Sequence, residues 1–405
     1  MSVFSEFTIA DGLTVKNRIV KAAMEENLAG EQFLPSDGLI NLYRTWAKGG
    51  TGMLITGNVM VDHRSMTGPG GVALEAHTDL TRFKQWAQAG QENGCKMMMQ
   101  ISHPGRQIYA ALGGKVVAPS AVALEMGGAS KMFAMPTPMT EDEIEQAIEH
   151  FAITASKAKQ AGFDAVQVHG AHGYLVAQFL SPLSNQRDDQ WGGSLQNRAR
   201  FLLAIVARIK DKCGPDFPVA VKLNSADFQR GGFDVDDAKL VAKWLEKAGV
   251  CLIELSGGSY ESPAMQGDTA DQRTLAREAY FLEFAKEMRQ SLTVPLMTTG
   301  GIRRLPVAQN VVVQGIELVG VASALAYCPD LPNQWQQQAD YVAPVQTASF
   351  KSKSLRGMAN MMLVSRQLGR MAAGKPVKQV SPVVTLAWSQ WRMQKLVKRY
   401  KKQLG

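Results

Sequence analysis

Cysteine is scarce. Cys95, Cys213, Cys251 and Cys328 are scattered over 405 residues with no C-x-x-C pair. That argues against a cysteine-ligated metal cluster and fits reduced thiols. No apolar run reaches the roughly 20 residues that a membrane-spanning helix needs. The opening MSVFSEFTIADG has no basic region followed by an apolar core. No secretory leader is therefore expected, and the expected location is cytoplasmic. Acidic residues stop at Asp340, yet thirteen of the 44 Lys and Arg follow it. The rest of the chain carries 31 basic against 36 acidic residues, a balance of −5, so the whole net charge of +8 resides in the tail. This shift in composition marks a boundary between a body over 1–343 and a basic helical extension over 344–405.

Within the body, short apolar stretches alternate with amphipathic ones. The expected strands are Asn17 to Ala23, Gly52 to Thr56, Lys96 to Ile101, Asp164 to Val168, Pro218 to Leu223, Cys251 to Leu255, Val294 to Thr298 and Ile316 to Val321. The expected helices are Asp37 to Lys48, Asp79 to Glu92, a helix opened by Thr140, Ser194 to Lys212, Asp236 to Ala248, Leu275 to Gln290 and Pro306 to Val313. Thr140 and Glu143 have capping-box spacing ahead of Ile144, Ile148, Phe151 and Ala155. Eight such units predict a (β/α)8 TIM barrel. An open doubly wound sheet would need a Gly-rich turn after the first strand, and N-R-I-V-K-A-A-M is not one. In a barrel, chemistry gathers beyond the C-terminal strand ends. Glu25, Gln100, His103, His169, His172, Tyr174, Lys222 and Thr299 fall there.

The densest cluster lies in VQVHGAHGYLVAQFLSPLSNQRDDQWGGSLQNRARF, Val166 to Phe201. H-x-x-H-x-Y puts His169, His172 and Tyr174 in one turn past a strand. Two imidazoles can hold a developing oxyanion, and a phenol can deliver a proton. Zinc is the competing reading of two nearby His, but no further ligand follows at the usual spacing.

This stretch resembles the old yellow enzyme family of flavin-dependent oxidoreductases, and the resemblance covers about residues 1–340. It implies bound FMN, NADH or NADPH as reductant, and an electron-poor alkene as the small-molecule acceptor. In that reading His169 and His172 bind the activating oxygen, and Tyr174 protonates the α-carbon after hydride leaves flavin N5. The cofactor would be held by Ala23, Met24 and Glu25 after the first strand, Gly57 after the second, Gln100 on the third and Lys222 on the fifth. Gly300 and Gly301 after the seventh strand, with Ala322 and Ser323 after the eighth, would take its phosphate. Two positions depart from the family. Ser323 stands where an Arg usually pairs with phosphate, leaving backbone amides, the Ser323 hydroxyl and Arg303 to do so. Glu25 stands where a Thr or Cys usually flanks the flavin. It either adjoins the ring or sits on a displaced loop facing solvent or a cation. The segments Gly113 to Met139 and Tyr260 to Arg273 are expected to line the pocket. Amine and dienoyl-thioester dehydrogenases are the enzymatic alternatives, although the larger relatives' cluster cysteines are missing. A membrane-tethered flavoprotein with little turnover is the third reading.

The tail reads as two helices, Leu355 to Ala373 and Thr385 to Leu404. The second places Leu386, Met393, Val397, Tyr400 and Leu404 on one face and Arg392, Lys395, Arg399 and Lys402 opposite, flanked by Trp388 and Trp391. That layout suits an anionic membrane surface at the inner face. The competing reading is a helix packed on the barrel or, in a homo-oligomer, on a partner. No nucleic-acid module is recognisable, so no nucleic-acid partner is expected.

Overall fold

Each of the eight expected apolar stretches becomes a parallel strand, and together they close on themselves. The computed structural model describes residues 1–262 and 278–404. Its strands are β1 (Ile19–Lys21), β2 (Met53–Ile55), β3 (Lys96–Ser102), β4 (Ala165–Gly170), β5 (Val219–Asn224), β6 (Leu252–Ser256), β7 (Leu296–Thr299) and β8 (Leu318–Val321). They pair in the order β4-β5-β6-β7-β8-β1-β2-β3, and β3 pairs back onto β4. This is a (β/α)8 barrel.

Alternation along the strands sorts the interior into levels. Val20, Met53, Met98, Ala165, Ala220, Leu252, Met297 and Leu318 form an apolar level, plugged from below by Ile9, Leu13 and Val15. The plug is an N-terminal hairpin, Phe7–Ala10 against Leu13–Val15. Two residues further along the same strands the inward positions turn polar: Gln100, Gln167, Lys222, Glu254 and Thr299. This polar level is the floor of the site.

The surrounding helices are α1 (Asp37–Lys48), α2 (Thr81–Gly90), α3 (Glu141–Gln160), α4 (Leu195–Cys213), α5 (Val235–Lys247), α6 (Leu282–Arg289) and α7 (Leu305–Val313). The Thr140–Glu143 capping box forms in both directions, and Ile144, Ile148, Phe151 and Ala155 are buried. The expected Leu275 start of α6 lies outside the described residues. Ala279 has φ 59°, and the helix starts only at Leu282. Positive φ is incompatible with a right-handed helix at that point. The excursion Gly113 to Met139 is mostly irregular, with one short parallel pair, Val117–Ala118 with Thr137–Pro138.

The tail forms α8 (Lys353–Ala372) and α9 (Pro382–Leu404). Leu368 and Met371 of α8 join the outer core beside α1. The expected membrane face of α9 is occupied except at Met393, which stays exposed. Tyr400 is buried, and with Val397 and Leu404 it packs on Phe33, Met60, Met66, Ile108 and Leu112 of the barrel. Leu386 packs instead on Ala359 and Leu363 of α8. Arg392 and Arg399 were expected opposite that face, toward an anionic surface. They donate to the Asn27 and Ala29 carbonyls at 2.6 and 2.8 Å. No helix among the described residues is long and apolar enough to cross a membrane.

Candidate active site

His169 is the penultimate residue of β4 and points into the barrel mouth. Its Nδ1 accepts the Ala171 N–H at 3.3 Å. Burial, and then the nearby Lys222 charge, hold its pKa well below the usual value. A neutral ring with Nδ1 accepting carries its proton on Nε2, so Nε2–H is a donor free for the cleft. His172 is neutral for the same reasons. Its backbone sits at φ 62°, an uncommon conformation for a residue with a side chain. Asn224 Oδ1 accepts its N–H at 3.1 Å, and Gln107 Nε2 donates to its carbonyl at 3.0 Å. These bonds hold the turn that brings the two imidazole centroids to 5.0 Å. Ser256, at the end of β6, bonds His172 Nε2 at 2.7 Å.

The Tyr174 ring stands edge-on to His169, with centroids 4.8 Å apart. Its hydroxyl lies 3.1 Å from that of Tyr260. Burial raises the Tyr174 pKa, so the phenol stays protonated at neutral pH. The structure thus brings together all three residues of H-x-x-H-x-Y. It adds Tyr260 and Ser256, which stand in the loop after β6 and at the strand's end. Tyr260 lies at the edge of the segment expected to line the pocket, whose residues from 263 to 273 fall outside the described residues. The Tyr260 loop is anchored by a buried ion pair, Arg106 with Glu261 at 2.7 Å.

Below this triad runs a continuous chain of hydrogen bonds. Gln100 Nε2 donates to Gln167 Oε1 at 2.7 Å, and Gln167 Nε2 donates to Glu254 Oε2 at 2.9 Å. Glu254 Oε1 takes Lys222 Nζ at 2.8 Å and Thr299 Oγ1 at 2.8 Å. Lys222, expected to hold the cofactor from the fifth strand, is paired with Glu254. Gln167 and Glu254 were not singled out from the sequence. Their signal was present: a polar residue at an inward position of V-Q-V and L-I-E-L.

Gly300 has φ 153° and Gly301 φ 66°. A Cβ at either would stand 2.9 or 2.5 Å from Tyr280, so only glycine lets the backbone pass here. Ser323 opens a short helix, Ser323–Tyr327, next to the half-buried Ala322. Arg303 does not turn toward this cradle. Its N–H and guanidinium, with the guanidinium of Arg304, engage the Glu278 carboxylate. Gly57 N–H is likewise engaged, by Glu26 Oε1 and the Tyr43 hydroxyl at 3.2 and 3.0 Å. Ala23 packs on the interior apolar level and Met24 on the outer core.

Glu25 is exposed to solvent and pairs with no cation among the described residues. It accepts the Thr67 hydroxyl at 2.7 Å. Neighbouring protein atoms raise its pKa, and the Thr67 hydroxyl opposes the rise. The Glu25 charge adds to the rise in the pKa of Tyr109, Tyr174 and Tyr260, after burial.

These parts fit an FMN. Gln100 offers an amide to a donor–acceptor edge, and Lys222 a cation beside it. The glycine pair and the Ser323 turn offer backbone N–H groups at the other end.

The model of the NADH:flavin oxidoreductase / NADH oxidase family matches residues 2–341. A protein of Neonectria sp. (strain DH2) described as NADH-dependent flavin oxidoreductase iliE is 37% identical over 350 residues, covering 80% of this chain and 46% of that one. The chain thus spans about half of that relative's length. Among solved structures, a 2-naphthoyl-CoA reductase in complex with 2-naphthoyl-CoA superposes with TM-score 0.80 at 27% identity, over 92% of this chain and 58% of that one. An old yellow enzyme homologue from Zymomonas mobilis superposes with TM-score 0.72 at 23% identity, over 85% of this chain and 95% of that one, a likeness of fold.

Proposed function

The chain belongs to the NADH:flavin oxidoreductase / NADH oxidase family and is an old yellow enzyme-like flavin oxidoreductase using FMN and NAD(P)H, and from that premise we propose that it reduces electron-poor C=C bonds. The observation that carries this reading is the convergence of His169, His172 and Tyr174 over one turn, with centroids 4.8 to 6.5 Å apart. FMN supplies the hydride that reaches the β-carbon. His169 donates from Nε2 to the carbonyl or nitro oxygen of the acceptor, where negative charge builds. His172 is the second donor, oriented by Ser256. Because both imidazoles are neutral, they polarise that oxygen without surrendering a full proton to it. Tyr174 then delivers its proton to the α-carbon, and the Tyr260 hydroxyl takes up the charge left on the phenol oxygen. One hydride and one proton saturate the double bond.

A thioester acceptor is the second reading, favoured by the likeness to the 2-naphthoyl-CoA reductase. Contact of the tail with anionic lipid stays within the proposal only as a surface contact. Trp391, Lys395, Lys398 and Lys402 are exposed, but the face that would insert is packed on the barrel.

The test is binding of a substituted phenol, whose phenolate oxygen occupies the anion position and gives a long-wavelength charge-transfer band on oxidised flavin. His169→Ala with His172→Ala should abolish the band. An undiminished band in the double variant removes the pair from the site.

A further inference from the structure

Helix α9 presents a polar stripe to the loop that follows β1. Ser389, Arg392, Leu396, Arg399 and Gln403 recur at three and four residues and so share one face. Arg392 and Arg399 donate to the Asn27 and Ala29 carbonyls. Arg366, from α8, lies over the Trp388 ring at 4.0 Å, and Arg392 approaches the same ring at 5.5 Å. Arg366 and Arg392 therefore share one aromatic ring, and Arg399 lies two turns further along the same face of α9; burial first, then the charges of Arg399 and Arg366, lowers the Arg392 pKa. The tail contains no carboxylate of its own. Among the described residues, none of the three arginines forms an ion pair; the arginines that do are elsewhere.

A second observation points the same way. Ser389 Oγ and Arg399 Nε are buried without a hydrogen-bond partner. Gathered like charges and unmet buried donors are both costly, and an anion bound among the arginines offsets the repulsion and can accept the Arg399 Nε–H. The location is also telling. Asn27 and Ala29 belong to the loop that follows β1 at the mouth of the barrel, the same loop that carries Glu25. The arginines therefore stand one loop away from the reacting end of the cleft.

We propose that Arg366, Arg392 and Arg399 form an anion subsite for the phosphomonoester on the adenosine ribose of a nucleotide whose reactive end enters the cleft. Guanidinium forks match phosphate oxygens in geometry and charge. Two nucleotides carry this group. NADPH has it at the 2′ position, and an adenosine-bearing thioester carrier has it at the 3′ position. The inference leans on the proposed function only for what happens at the reactive end. Binding of the phosphorylated fragment needs no hydride transfer, so the two can fail separately.

The experiment is calorimetric titration of the full FMN-loaded chain with adenosine 2′,5′-bisphosphate, adenosine 3′,5′-bisphosphate, adenosine 5′-monophosphate and inorganic phosphate. One bisphosphate should bind at least about tenfold more tightly than the monophosphate, which is one lost charge-assisted contact. The preferred isomer tells reductant from thioester. Arg366→Gln should remove that preference while flavin absorbance stays unchanged and Tm falls only slightly, because Arg366 makes no hydrogen bond to the loop and loses only its contact with Trp388. Ser389→Asp, which places a carboxylate three residues before Arg392, should also remove it and raise Tm. Bisphosphates no tighter than the monophosphate, a preference that survives Arg366→Gln and Ser389→Asp, or binding only to phosphatidylglycerol vesicles would each overturn the subsite.

Discussion

The hydroxyl of Tyr260 lies 3.1 Å from that of Tyr174, with the two ring planes at 72°. If Tyr174 is the proton donor, its oxygen becomes negative as the α-carbon is protonated, and Tyr260 is placed to donate to it. Tyr174→Phe should then slow oxidation of the reduced enzyme by an alkene by roughly 10²–10⁴-fold while sparing reduction by NAD(P)H. Tyr260→Phe should slow the same half-reaction less. A hydrogen bond to a charged group is worth about 1.5–3 kcal/mol, so the loss should be on the order of 10- to 100-fold. Anaerobic stopped-flow measurement of both half-reactions checks this. Equal losses in the two half-reactions would mean that the tyrosines position ligands and do not move the proton.

The Glu254 carboxylate is fully buried and offsets the Lys222 charge across 2.8 Å. Glu254→Gln keeps the shape and leaves the cation uncompensated in the floor beneath the flavin. A bare positive charge favours electron uptake, so the flavin potential should rise. The same variant breaks a buried pair, which typically costs about 3–5 kcal/mol. Potentiometric titration and a thermal melt read the two effects. An unchanged potential beside a lowered Tm would show that the floor is structural and does not reach the ring.

What could be read in advance follows from the reach of each signal. The capping box of Thr140 and Glu143 and the strand that leads into His169 are local, and both formed with boundaries within a residue or two. Glu254 and Gln167 were missed because a single polar residue inside an apolar strand acquires its meaning only when the barrel closes. Lys222 then finds its partner on the next strand. The α9 face failed differently. Its amphipathic pattern was correct, but periodicity states only that a face is buried. Whether Val397, Tyr400 and Leu404 meet lipid or Phe33 and Ile108 depends on where α8 leaves the chain.

Acid should weaken the fold through His103. Burial pushes its pKa down to about 4, against the usual 6.5, with Asp62 opposing and His150, Lys115 and Arg64 adding to the drop. Between those values the unfolded chain binds a proton that the folded chain refuses. The stability is therefore complete above about pH 6.5 and is lost progressively as pH falls toward 4, by about 3 kcal/mol in all. Asp62, held down to about 2 against 3.8, loses its contribution only below that window. His103 Nδ1 accepts the Gly105 N–H at 3.0 Å, and an Asn oxygen can do the same. Urea melts of His103→Asn should show a shallower decline from pH 6.5 to 4 than the parent. A decline of equal slope would assign the acid loss to other groups, His169 and His172 first.

Removing α9 should damage the barrel. Tyr400 is 1% exposed, and its hydroxyl donates to the His63 carbonyl at 2.9 Å. Burying a large side chain contributes about 1.5–3 kcal/mol. Tyr400, Val397 and Leu404 together therefore contribute on the order of 5 kcal/mol, a large share of the net stability of an ordinary domain. Truncation after Pro382 also uncovers Phe33, Met66 and Leu112 and frees the Asn27 and Ala29 carbonyls from Arg392 and Arg399. The truncated chain should melt well below the parent, self-associate at raised temperature, and hold FMN less tightly because the Glu25 loop is no longer clamped. Tyr400→Ala alone should cost about 3–5 kcal/mol, and Tyr400→Phe about 1, the hydrogen bond only. The same packing sets the expectation for vesicles. With Val397, Tyr400 and Leu404 packed on the barrel, binding of the full chain to anionic lipid should be mainly electrostatic and should be largely released by high salt. A truncated chain with parental Tm and flavin affinity, or binding that survives molar salt, would return α9 to the membrane.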